Sequence, residues 1–398
     1  MSLQKSSAET WRLALMSSGL GRVNRGYERF MRELYESLMT HADVTVLKAP
    51  GNWLRGEIAV RSPGRSHVIT KALASVCSAS RDVHFWERLF FALAAAPALH
   101  EGRFDMIQYP EPSFNDIYHH WSALIPRTTK RIFFHGVGCQ PRQYVRCHHI
   151  QQMSPIHYKR ALEFGVPAER MTLLPSGFYS SNFKRAPESE RMRLRQKYSI
   201  PQDRPVLLTV AAINRSHKRI DKLIEAVKDL RQECHLILCG IVEDRTLLDE
   251  AKTALGSGFT HLYVPGAAAH EMYQMSDMFI LSSLEEGVPS VVTEAALSGL
   301  PVILNNDDLY RWMLGPAWPH LVNMADTRAM TESIEYFLKN RSRLSEEMAV
   351  MRGDLVERFD WSRLIPRYLS MYQQVHEAEH QTIEEIMNGS GASKCIKN

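Results

Sequence analysis

The residues with most chemical content lie in one string, Glu285–Leu304, EEGVPSVVTEAALSGLPVIL. The strand-like run MFILSS ends just before it, and Glu286-Gly287 reads as a turn. Pro289 suits the first position of a helix and Gly299 its closing residue. That reading puts a helix start, with its free N–H groups, at the carboxyl edge of a parallel sheet, where phosphate groups are favoured. Glu286 and Glu294 stand eight residues apart, one before the helix and one in its second turn. Each carboxylate can accept hydrogen bonds from two neighbouring hydroxyls, so the pair suits two sugars flanking a pyrophosphate. Glu-x7-Glu alone arises by chance in a chain of this composition; the flanking string gives it meaning.

Two further places carry candidates. His135 ends the strand KRIFFH at the edge where ligands are expected, and Ser17-Ser18-Gly19-Leu20-Gly21 links a first strand to a helix. Gly19 and Gly21 would let backbone amides approach a ligand. The helix Arg22–Leu38 has an apolar face of Val23, Tyr27, Phe30, Met31, Leu34 and Leu38, suited to packing on a sheet. Its second stripe, Arg22, Arg25, Arg29 and Arg32, is explained by i,i+4 pairing with Glu33 and Glu36, or by contact with an anionic acceptor or membrane surface.

Short apolar strands alternating with helical segments predict parallel α/β architecture. Trp11–Met16, Asp43–Lys48, Asp105–Tyr109, Lys130–His135 and Arg170–Leu174 form one set of predicted strands. Val206–Ile213, His235–Gly240, His261–Val264, Met278–Leu281 and Val302–Asn305 form a second. Two doubly wound lobes are expected, residues 1–185 and 186–360, with a linker near Ala186–Glu190 and a long loop over Pro50–Ser66. A helix over 361–378, kinked near Pro366, should follow and cross back to the first lobe, and residues 379–398 should be disordered.

A chain of 398 residues that is 44% hydrophobic and 23% charged can bury more than one core. No apolar run reaches the ~18 residues of a membrane span, and the first residues do not read as a secretory signal. Six scattered cysteines without a CxxC pair suit a reducing cytoplasm. The net charge of +4 splits into +10 over residues 1–185 and −6 over 186–398, so the first lobe should face something anionic. No G-x-x-x-x-G-K-S/T loop is present, the spacing of Cys139, Cys147, His148 and His149 fits no common zinc site, and nucleic-acid motifs are missing.

The string around Glu286 and Glu294 resembles the E-G-F/V-x-x-x-x-x-E-A-x-A-x-G-x-P-V signature of glycosyltransferase family 4, also called glycosyl transferases group 1. Leu174–Phe183 (LPSGFYSSNF), Ser154–His157, Phe134–Gly136 and Phe359–Trp361 are similar to further elements of that family, in its order. The resemblance covers about Leu13 to Tyr372. It implies the GT-B fold, two Rossmann-like lobes facing a central cleft, with the donor on the second lobe and the acceptor on the first. It implies that Glu286 meets the donor sugar, Glu294 the ribose, and Gly287, Val288, Pro289 and Ser290 the sugar and distal phosphate. His135 would sit near the reacting sugar and Lys218 at the pyrophosphate. The family's arginine is missing, since Ala212 holds its place, and Arg215 is the nearest substitute.

The function so implied is a retaining glycosyltransferase that uses a nucleotide-diphospho-sugar and neither metal nor other cofactor, in keeping with the lack of a D-x-D motif. With no evident carboxylate nucleophile on the first lobe, front-face attack is the expected mechanism. The acceptor would be a glycan, a lipid-linked sugar or a small molecule, with peripheral membrane contact through the basic lobe. A silent subunit that partners another transferase, and a sugar-nucleotide epimerase, are the alternatives.

Overall fold

The computed structural model describes residues 11–23, 26–51, 56–77, 81–136, 139–264, 268–315 and 318–389. Arg25 of the arginine stripe and the tail after residue 389 lie outside them. The chain forms two compact units, residues 1–177 with 364–398, and residues 178–363. The first gives way to the second upstream of the expected linker. The helix Glu188–Lys197 is instead fixed to the second unit, because Arg191 and Arg195 both pair with Asp277.

The first unit holds seven parallel strands: β1 (Arg12–Ser17), β2 (Asp43–Lys48), β3 (Glu57–Ala59), β4 (Met106–Tyr109), β5 (Lys130–His135), β6 (His149–Gln152) and β7 (Met171–Leu173). Their order is β3-β2-β1-β4-β5-β6-β7. Both faces of a parallel sheet are covered, so β1, β4 and β5 read as nearly unbroken apolar runs. The second unit holds six: β8 (Val206–Val210), β9 (His235–Cys239), β10 (Phe259–Leu262), β11 (Met278–Ile280), β12 (Val302–Asn305) and β13 (Leu321–Val322), in the order β10-β9-β8-β11-β12-β13. Each sheet reverses direction once, between β1 and β4 and between β8 and β11. In doubly wound sheets the crevice outside the carboxyl ends at that point holds the ligand.

Three strands were not legible. β3 falls inside the predicted loop, where a buried ion pair, Lys48 Nζ to Glu57 Oε2 at 3.1 Å, ties it to β2. β6 is polar, yet all four of its residues are buried. Gln151 donates to the Leu174 carbonyl at 2.8 Å and to the Tyr368 hydroxyl at 2.7 Å, and it accepts from Gln108 at 2.6 Å. Tyr368 and Tyr372 lie on the helix Trp361–Glu377, which continues through Pro366; Tyr372 donates to Gln108. β13 is only two residues long.

The expected disordered tail is corrected in part. Ile383–Gly389 forms a helix, with Ile383 and Ile386 buried. Thr382 and Glu385 bond reciprocally at its start, Thr382 N to Glu385 Oε2 at 2.7 Å and Glu385 N to Thr382 Oγ1 at 3.3 Å. Those two apolar contacts outweigh the polar composition around them.

Candidate functional site

In the second unit, the chain leaving β8 turns at Asn214. Its Oδ1 accepts from the amides of His217 at 3.1 Å and Lys218 at 2.8 Å, while its Nδ2 donates to Glu243 at 2.8 Å. Arg219 then takes a left-handed conformation, φ 50°, to enter the helix Ile220–Val227. The loop leaving β11 meets this turn directly, because the Ser282 hydroxyl donates to the Lys218 carbonyl at 2.6 Å. Asn305, at the end of β12, donates to the Leu284 carbonyl at 2.9 Å and fixes the far side of the β11 loop.

These supports bring Lys218 onto Glu286, with Nζ donating to Oε1. His217 Nε2 lies 3.6 Å from Glu286 Oε2 and 3.1 Å from the Glu285 carbonyl. Glu286 is nearly buried at 7% side-chain exposure and Lys218 keeps 17%, so a shielded ion pair faces the switch-point edge. Gly287, Val288, Pro289 and Ser290 follow, all half-buried. The helix Ser290–Leu297 begins after Pro289 with no side-chain cap, leaving its first amides for an anionic partner. Glu294 lies in its second turn, 2% exposed, and accepts from the Tyr273 hydroxyl at 2.7 Å.

Arg215 stands apart from this group. Its guanidinium bonds Asp244 and Thr246 at 3.0 Å each and also pairs with Glu250. Among the described residues, the basic side chains beside Glu286 are therefore Lys218 and His217. Sequence reasoning passed over His217 although it is the neighbour of Lys218 in the same turn. Tyr310 was also missed. Its buried hydroxyl has no hydrogen-bond partner among the described residues. Burial, with the charges of Glu286 and Asp307, holds its ionisation well above the ordinary phenol range. Nothing in the local sequence marks it, since only the tertiary fold puts it beside Glu286.

In the first unit, Gly21 is required by its backbone, and Gly19 packs against the end of the Glu28 side chain. A Cβ on Gly19 would stand 2.3 Å from Glu28 Oε1, and Gly21 has φ 92° with the Ala49 carbonyl 2.5 Å from where its Cβ would be. His135 is 1% exposed, shares Nδ1 with Gln152 Oε1 at 2.6 Å, and packs its ring 4.4 Å from those of Tyr144 and His157. Contact with a sugar would need that ring to leave its packing. Two arginines of the stripe are engaged within the unit, Arg29 with Glu33 at 2.7 Å and Arg22 with the sequence-distant Glu87 at 3.5 Å.

The first lobe does carry a carboxylate at its switch point. Glu111 follows β4, is 2% exposed, and accepts on Oε1 from the Ser17 hydroxyl, the Ser18 amide and the Ser18 hydroxyl at 2.9–3.1 Å. Its Oε2 has no hydrogen-bond partner among the described residues, and burial raises its pKa above the ordinary carboxylate value.

Residues 190–351 match the family described as glycosyl transferases group 1. The alpha-galactosylglucosyldiacylglycerol synthase of Streptococcus pneumoniae is 25% identical over 178 residues, 43% of this chain and 47% of that protein. The alpha-monoglucosyldiacylglycerol synthase of Acholeplasma laidlawii is 28% identical over 211 residues, 50% and 52% of the two. The chain thus spans about half the length of these relatives. Among solved structures, the sucrose-phosphate synthase of Thermosynechococcus elongatus aligns with a TM-score of 0.74 at 16% identity, over 93% of this chain and 100% of that one. HepE of Anabaena, in complex with UDP and glucose, aligns with a TM-score of 0.72 at 13% identity, over 91% and 99%. The matched segment contains the turn of Lys218, the loop of Glu286 and the helix of Glu294. Residues 190–351 thus match the glycosyl transferases group 1, within a chain that has the two Rossmann-like lobes of the GT-B fold.

Proposed function

We propose that this chain is a retaining glycosyltransferase that needs no metal and moves a sugar from a nucleotide-diphospho-sugar to a hydroxyl acceptor. The observation that carries this is the shielded Lys218–Glu286 pair at the β8/β11 switch point, beside the uncapped start of the helix Ser290–Leu297. Lys218 stabilises the charge that grows on the diphosphate, with the amides of Gly287 to Ser290 as further donors. Glu286 accepts from hydroxyls of the donor sugar, and His217 supplies a second donor beside it. Glu294, held by Tyr273, meets the ribose. In front-face attack the acceptor oxygen bonds to the anomeric carbon as the bond from that carbon to the diphosphate oxygen breaks. The acceptor's proton passes to the departing phosphate oxygen, so no protein base is required.

Two curated relatives are named for synthesis of glycosylated diacylglycerols, which favours a lipid-linked acceptor here. The helix Val68–Val76 of the basic first lobe suits such a role, with Val68, Ile69 and Val76 exposed beside Lys71. No helix of the described residues is long and apolar enough to cross a membrane. In flotation with phosphatidylglycerol-rich vesicles the chain should co-migrate, and Val68→Ser/Ile69→Ser/Val76→Ser should weaken binding roughly 10-fold or more. Equal binding by the triple variant would remove this surface from the proposal.

Donor binding is tested by thermal shift with UDP, GDP, ADP and their sugars. Ligand at about 100 times its Kd adds ~2.7 kcal/mol, and each kcal/mol raises the midpoint by roughly 2–4 °C for units of this size. One nucleotide should shift the midpoint, and Lys218→Ala and Glu294→Ala should abolish the shift. The engagement of Arg215 with Asp244 and Glu250 favours one alternative, a silent subunit, which a panel with no shift would put first. A changed sugar nucleotide seen by NMR without acceptor would instead establish an epimerase.

A further inference from the structure

A cavity of about 200 Å³ lies in the second unit at the edge opposite Lys218 and Glu286. Tyr273, Gln274, Ser276 and Asp277 line it where the chain enters β11, and Ser298, Gly299 and Leu300 line it where the chain approaches β12. Both sets precede their strands, so the cavity opens at the amino edge of the sheet. Arg185 and the face of the helix Thr327–Phe359 that carries Arg341, Ser342 and Ser345 complete it.

The charges of this lining are unevenly spent. Arg191 bonds both Glu188 and Asp277, and Asp277 also accepts from Arg195, so the two carboxylates are neutralised within the wall. Arg185 lies with its stem against Gly299, where a Cβ would meet it at 3.6 Å; it makes no hydrogen bond or close ion pair among the described residues, and its charge acts weakly on Glu188. Arg341 makes one bond, to the Leu338 carbonyl at 3.3 Å. Ser276 and Ser298 already donate to helix carbonyls, those of Met272 and Glu294. Ser342, Ser345 and Gln274 have no such bond among the described residues. Two guanidinium groups with two hydroxyls and an amide therefore face a space large enough for a small organic anion and rich in unspent donors. Guanidinium matches phosphate oxygens in fork geometry.

We propose that this cavity binds a small soluble phosphomonoester, held by Arg185 and Arg341 with Ser342, Ser345 and Gln274 around it. The cavity also reaches the proposed donor site. Tyr273 is one of its walls and donates to Glu294 at 2.7 Å. Ser298, another wall, closes the helix that carries Glu294, with its hydroxyl 2.8 Å from the Glu294 carbonyl. An occupant that presses on Tyr273 and Ser298 biases the placement of Glu294. The affinities of phosphomonoester and nucleotide are then reciprocally coupled; this coupling rests on the donor-site proposal above, whereas the binding itself does not.

Titration calorimetry of the full chain with inorganic phosphate and with glucose 6-phosphate, without nucleotide, separates the two. At least one ligand should bind saturably. Affinity should fall about 10-fold or more in Arg185→Ala and in Arg341→Ala, both exposed positions that leave the fold intact, and remain unchanged in Lys218→Ala. No saturable binding up to about 10 mM overturns the site. So does binding that Lys218→Ala abolishes and the arginine variants keep. Phosphomonoester should change nucleotide affinity in the native chain and not in Tyr273→Phe; unchanged affinity in both overturns the link through Tyr273 and leaves the cavity site standing.

Discussion

Replacing Lys218 by methionine should lower donor turnover by about 10²–10³-fold, the usual cost of removing one preorganised donor from a developing oxyanion. The fold should survive. The turn is set by backbone contacts of residue 218, its amide to Asn214 and its carbonyl to Ser282, and neither needs the ammonium. What the variant loses is the partner of Glu286, a carboxylate with 7% side-chain exposure. Leaving such a group unpaired costs stability, so the midpoint should drop by a few degrees while activity drops by orders of magnitude. His217, 3.6 Å from the other carboxylate oxygen, limits that drop. Lys218→Arg should recover only part of the rate, because the Asn214 turn aims a single ammonium and a planar fork needs different partners. Glu286→Gln separates the two roles. It keeps a sugar-facing oxygen but frees Lys218, so it should affect the donor KM more than Lys218→Met does. Turnover within about 3-fold of native in Lys218→Met would mean that the pair is structural and that the cation at the diphosphate is elsewhere.

How much of this was legible depends on the kind of signal. Apolar strands such as LALM in β1 and LILC in β9 announce themselves because both faces are buried. The polar β6 does not, since its burial depends on Gln108, Tyr368 and Thr172, all distant in sequence. The Glu286–Glu294 string was legible because turn, helix start and helix stop fall inside one short window. The pairing of Lys218 with Glu286 was not, because it depends on β8 and β11 being neighbours, which no local pattern states. Arg215 shows the converse: proximity in sequence to Lys218 suggested a shared target, and the competing carboxylates Asp244 and Glu250 were out of view. Glu111 was missed for a related reason. A lone carboxylate after a short strand carries no motif, and only the serines of the β1 loop give it a place.

Acidification should unfold the protein well above the pH at which ordinary carboxylates titrate. His149 begins β6 and His235 begins β9, and each is buried with its Nε2 within 2.9 Å of a threonine on the next strand, Thr172 and Thr260. His157 is buried as well, and its Nδ1 has no hydrogen-bond partner among the described residues. Burial pushes all three down to about 4 from an ordinary value near 6.5. Nearby cations add to this: Arg170 at His149, Arg160 at His157, and Arg204 and Arg195 at His235, where Asp203 acts weakly in the opposite sense. The unfolded chain therefore binds protons that the folded chain refuses. Stability is at its full value above pH ~6.5 and is lost as the pH falls from there towards 4. Each histidine contributes a slope of up to about 1.4 kcal/mol per pH unit, so at pH 5 the three together cost on the order of 6 kcal/mol, comparable with the whole stability of a domain. The first unit holds two of them and should lose more than the second. Calorimetric scans between pH 7.5 and 5 should show the midpoint falling by on the order of 10 °C or more, with the fall reduced in His149→Gln and in His235→Gln. A midpoint that stays level to pH 5 would mean that these rings accept protons in the folded state, and hence that water reaches the amino ends of β6 and β9.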